Sequence, residues 1–102
     1  MTMTSKERAA LRGEAHHLSA AVHIGHQGVT DNIVATIDDA LRTRELVKIQ
    51  LARTTDETPG AAAARIADAT SAEVVQVIGR TCTLYRWNPD LQRKSGVAPW
   101  RS

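Results

Sequence analysis

Apolar positions recur at helical spacing from the start of the chain. In "TSKERAALRGEAHHL", Leu11, Ala15 and Leu18 fall on one side of a helix expected over about 5–17. Thr4 with Glu7 three positions on forms a capping box that sets its start. Arg12 and His16, four apart, share a neighbouring and more exposed stripe. "AAVHI" is short and apolar and is halted by Gly25, so it reads as a strand. Thr30 can cap a second helix whose Ile33, Val34, Ile37 and Leu41 make one apolar face, with Asp31 at its positive end. "ELVKIQLA" alternates, placing Val47, Ile49 and Leu51 on one face and Lys48 and Gln50 on the other.

"TTDETPG" breaks the pattern, and Pro59 can occupy the first position of a third helix that continues through "AAAARIADAT". "AEVVQVIG" and "TCTLYRW" follow as two strands, joined at Gly79-Arg80 by an expected tight hairpin. Beyond Asn88 two Pro, one Gly and no period predict a flexible tail. The order is αβαβαββ, an α/β fold with a mixed sheet of four strands and three helices packed on it. The expected organisation is one domain over 1–88 and a basic tail over 89–102.

Composition narrows the function classes. At 102 residues the chain has room for one modest core and no separate substrate lobe. There is no Phe, so the core must be built from Ile, Val, Leu and Ala. The net charge of +2 is unevenly spread. Residues 1–79 carry eight Lys or Arg against ten Asp or Glu, whereas 80–102 carry five against Asp90 alone. Ten of the thirteen basic residues are Arg, which suits bidentate phosphate contact and stacking on bases. A lone Cys82 in an alternating apolar run excludes an internal disulfide and a cysteine-based zinc site. The first residues contain no apolar h-region, and no stretch approaches the ~18 apolar residues of a membrane span. A cytoplasmic location is therefore expected.

Catalytic chemistry finds no support. Asp38 and Asp39 are neighbours on a helix and diverge, and no Ser sits in a nucleophile turn. His16, His17, His23 and His26 cluster in the first quarter without a carboxylate or thiol at ligand spacing, so neither a metal nor a cofactor is expected. The chain is not expected to be an enzyme. One feature stands out. Gly25 and Gly28 form a G-x-x-G pair between a strand and a helix, around His26 and Gln27. The spacing admits two readings: a purely structural turn, or a bend whose bare amides and helix N-terminus receive a phosphate. It is too short for a Walker loop and lacks the dinucleotide fingerprint, but it has the form of the GxxG loop with which KH domains clamp a nucleic-acid backbone.

The longer stretches "LRGEAHHLSAAVHIGHQGVTDNIVATIDDALRTRELVKI" and "VQVIGRTCTLYR" resemble the YhbY family, single CRM domains of bacteria and archaea that also occur in plant organelle splicing factors. The resemblance runs from about Thr4 to Trp87. It implies a four-stranded α/β fold similar to the C-terminal domain of translation initiation factor three, and RNA binding through the GxxG loop and nearby basic surface. Bacterial members associate with precursors of the large ribosomal subunit, so the resemblance implies large-subunit rRNA precursor and the pre-ribosomal particle as partners.

On this basis the RNA-binding candidates are Gly25, His26, Gln27, Gly28, Arg12, His16, Lys48, Arg80 and Arg86. Lys48 stands on a strand face that a helix can cover. Family members often carry Lys, Ser or Asn within the loop, whereas this chain has His26 and Gln27 and no fixed positive charge. A contribution from His26 then grows on acidification, because only the protonated imidazole is cationic. Arg93, Lys94, Trp100 and Arg101 lie past the resemblance and can either extend RNA contact or serve solubility. The alternatives are a different structured RNA, such as a tRNA or intron precursor, and a protein-interaction module docking on ribosomal proteins.

Overall fold

The computed structural model describes residues 3–91 and 98–101. Three α-helices, α1 (Ser5–Ala15), α2 (Asp31–Arg44) and α3 (Pro59–Thr70), alternate with strands β1 (Val22–Ile24), β2 (Leu46–Leu51), β3 (Glu73–Ile78) and β4 (Thr81–Tyr85), in the order αβαβαββ. The strands form one sheet in the order β1-β2-β4-β3, with β1 parallel to β2 and the other pairs antiparallel. The expected α/β class and mixed sheet are found.

Local chemistry sets the boundaries. Each helix starts at a threonine cap: the Oγ1 of Thr4, Thr30 and Thr58 accepts from the backbone N–H of Glu7, Ile33 and Ala61 respectively. The Glu7 carboxylate returns a bond to the Thr4 amide, completing the capping box. α1 ends two residues earlier than its sequence suggests, at Ala15. There Lys48 Nζ donates to the carbonyls of Ala15 and Leu18 at 3.2 Å each, satisfying groups the helix itself cannot. Between β3 and β4, Gly79 takes a positive φ of 56°, the backbone a tight hairpin needs.

The sheet has two unlike faces. Val22, Ile24, Val47, Ile49, Leu51, Cys82 and Leu84 point towards α2 and α3, where they meet Ile37, Leu41, Ala62, Ala63 and Ile66 in the main core. The small alanines of α3 let its backbone approach the sheet closely. The opposite face carries α1, with Leu11 against Leu46 and Val75 in a smaller cluster. Cys82 is fully buried in the main core, and burial pushes its thiol up to about 11, so it stays a neutral, unreactive group.

The tail departs from expectation at one place. Residues 92–97, including Arg93 and Lys94, lie outside the described residues. Pro99–Arg101, however, form a 3-10 turn, and the Trp100 ring stands edge-on to Tyr85 with centroids 6.2 Å apart. Trp100 packs on the cluster of Met3, Leu11, Leu46 and Val75. α1 leaves that apolar patch incompletely covered, and a large aromatic ring completes it.

Candidate nucleic-acid interface

β1 delivers the chain to Gly25 at the end of the sheet that also holds the close of β2 and the β3–β4 hairpin. Gly28 N–H donates to the Gly25 carbonyl at 3.0 Å, closing a turn over His26 and Gln27. Gly28 sits at φ +74°, a backbone state costly to a β-branched residue. Gly25 has no such need, and a Cβ built on it meets nothing within 4 Å. Its bareness is not required by the fold. Among the described residues the amides of Gly25, His26 and Gln27 make no hydrogen bond, and all three residues are exposed. With Thr30, Asn32 and Ile33 of the α2 start, the loop lines an open cavity of about 280 Å³. An anion entering it meets outward amides and the positive end of a helix. Asp31, exposed in the first turn of α2, offsets part of that potential.

A second loop, between β2 and α3, holds the first in place. Ala52 N–H donates to the Ile24 carbonyl at 2.8 Å, and Thr55 Oγ1 donates to the Gly25 carbonyl at 2.9 Å. Arg80 braces this second loop from the hairpin. Its Nε donates to the carbonyls of Leu51 and Ala52, and its Nη2 to Ala52 at 2.6 Å. Arg80 is expected to supply positive charge near the loop; its guanidinium donates to these carbonyls, so its charge lies at the site while its hydrogen bonds position the loop.

The remaining candidates separate. Arg12 and His16 are exposed on α1. Glu7 lines a cavity with Tyr85 and Trp87 at the far end of the sheet. By helical geometry Arg12 and His16 occupy the opposite flank, turned to the loop end. Lys48 is half-buried, its ammonium held under α1 by two carbonyls. Arg86 lies away from the loop. It follows Tyr85, which pairs with Leu46, whereas the loop follows Ile24, which pairs with Leu51. Those two ends of β2 lie roughly 17 Å apart. There Arg86 clamps two helices, donating to Asp38 Oδ1 at 2.6 Å, to the Asp38 carbonyl and to the Thr70 carbonyl.

Arg53 escaped notice in the sequence. It lies one residue past Ala52 in the bracing loop, is exposed, and makes no hydrogen bond or ion pair among the described residues. Only the contact between the two loops reveals its position, and no local pattern carries that information. Ion pairing sharpens the contrast. Arg42, Arg65 and Arg86 are paired with Asp39, Glu57 and Asp38, while Arg8, Arg12, Arg44, Arg53 and Arg80 have no carboxylate partner among the described residues. Of the latter, Arg53 and Arg80 stand beside the loop and Arg44 closes α2 at the far end of the sheet. Also among the described residues, no group of three or more His, Cys, Asp or Glu is placed to hold a metal ion, and no helix is long and apolar enough to cross a membrane.

Comparison with known proteins bears on this geometry. The family model of the CRS1 / YhbY (CRM) domain matches residues 3–86. The chain is 34% identical to "Probable RNA-binding protein YqeI" of Bacillus subtilis, over 82% of this chain and 88% of that protein. It is 38% identical to an "RNA-binding protein" of Haemophilus influenzae, over 83% and 86%. The solution structure of the hypothetical protein SAV1595 from Staphylococcus aureus superposes with a TM-score of 0.77 at 32% identity, covering 96% of this chain and all of that one.

Proposed function

The chain belongs to the CRS1 / YhbY (CRM) domain family, and from that premise we propose that it binds RNA at the loop end of its sheet. The amides of Gly25, His26 and Gln27 receive a backbone phosphate, with Arg53 and Arg12 supplying charge beside it. Arg80 contributes its field and keeps the bracing loop in register. The observation that carries this reading is the conjunction of the open amides with Arg53 and Arg80, neither of which has a carboxylate partner among the described residues, in the loops that meet there. The protein acts by binding, without catalysis, in the cytoplasm. Its RNA is the precursor of large-subunit rRNA within the pre-ribosomal particle, following the resemblance of its motifs to bacterial YhbY proteins.

Sedimentation of a cell lysate through a gradient tests the partner. Co-migration with large-subunit precursor particles at low salt, lost as salt rises, is the expected result. Recovery only at the top of the gradient at every salt concentration overturns the ribosomal assignment. Filter binding of the purified protein to rRNA transcripts tests RNA binding itself. The affinity falls steeply with salt if phosphates are contacted, and a salt-independent or absent interaction favours a protein-docking role.

A further inference from the structure

The face of the sheet that carries α1 is not fully covered. α1 covers it at Leu46 and Val75 through Leu11 and at Lys48 through the Ala15 carbonyl, and Thr83, paired with Lys48, is 0% exposed. The next row towards the loop is open. Strand register aligns His23, Gln50, Thr81 and Ile78 across all four strands. Their neighbours Val22, Ile24, Ile49, Leu51 and Cys82 face the main core, so alternation turns these four to the α1 side. His23, Gln50 and Ile78 are exposed and Thr81 is half-buried. The row spans about 14 Å across the sheet.

Basic groups border it on two sides. His23 stands two residues before Gly25, so the row begins at the amide loop. The α1 flank carrying Arg12 and His16 borders it on one side, and the hairpin bearing Arg80 on the other. No Asp or Glu stands in the row. An imidazole, a carboxamide, a hydroxyl and an aliphatic chain make a surface with donors, acceptors and an apolar contact, the groups that read base edges. A chain held by its phosphates at the loop and along the α1 flank lays its bases over this row.

We propose that the row His23, Gln50, Thr81 and Ile78 is a base-reading surface for a single-stranded segment of RNA leaving the GxxG loop, with His23 and Gln50 as its specificity-determining residues. This rests on the RNA-binding reading above. An A-form duplex would present its backbone and not its base edges to so flat a strip, so the occupant is single-stranded.

Fluorescence anisotropy with the full chain decides it. The probes are oligo(A), oligo(C), oligo(G) and oligo(U) strands of about twelve nucleotides and a duplex of similar length. The unaltered protein ranks the four strands. The double variant His23→Ala/Gln50→Ala flattens the ranking, losing roughly five- to tenfold on the best strand with an unchanged salt slope and circular-dichroism melting curve. Equal affinity for all four strands, or a ranking that survives in the double variant, overturns the proposal while leaving RNA binding intact. Binding of the duplex but of no single strand does the same. Failure of the unaltered protein to bind any of these RNAs defeats the RNA-binding reading itself, and the base-reading row falls with it.

Discussion

At the scale of single residues, the two loop glycines have different reasons for being glycine. Gly28 serves the backbone, since its φ of +74° strains any β-branched replacement. Gly25 serves no conformational need and leaves an open approach to the amides. The two are therefore separable. Gly28→Val lowers both stability and RNA affinity, with about 1–3 kcal/mol lost in denaturant unfolding. Gly25→Ala leaves the unfolding curve within about 0.5 kcal/mol and still weakens RNA binding, because the new methyl group stands where the phosphate approaches. The arginines separate in the same way. Arg53→Ala weakens binding to all RNAs alike and reduces the salt slope by about one, as loss of a phosphate contact should. Arg80→Ala also lowers the melting temperature, because it releases the carbonyls of the bracing loop. Anisotropy titrations at several salt concentrations, paired with thermal melts, check both.

At the scale of elements, much of the fold could be read from local pattern. Threonine caps, the alternation in β2 and the glycine at the hairpin each act within a few residues, so helix starts, strand faces and the turn were all visible. What could not be read depends on contacts between distant segments. Lys48 and Arg86 look like free cations in a linear sequence, yet one is held by α1 and the other joins α2 to the end of α3. Arg53 looks like a loop residue of no account until the two loops meet. Trp100 looks like part of a structureless tail until Tyr85 and the exposed apolar patch beside α1 receive it. The clamp makes a testable claim. Arg86→Ala costs about 1–3 kcal/mol of unfolding free energy, since Asp38 and the Thr70 carbonyl lose their donor. The folded variant keeps its RNA affinity and salt slope, which titration below its melting temperature will show.

At the scale of the whole molecule, the net charge of +2 says little, and its placement says more. Three of the arginines are paired with carboxylates and Arg44 stands at the far end, while Arg12, Arg53 and Arg80, without a carboxylate partner among the described residues, flank the end where the amides are open. That asymmetry gives the molecule a face for a polyanion without making it strongly basic overall. The most direct test of that face is an amide-resolved NMR titration with a short hairpin RNA carrying a single-stranded overhang. The account predicts that Gly25, His26, Gln27, Gly28 and Arg53 shift first and furthest, with the changes reduced by added salt. Shifts confined to the opposite end of the sheet, around Arg86 and Trp87, would contradict it.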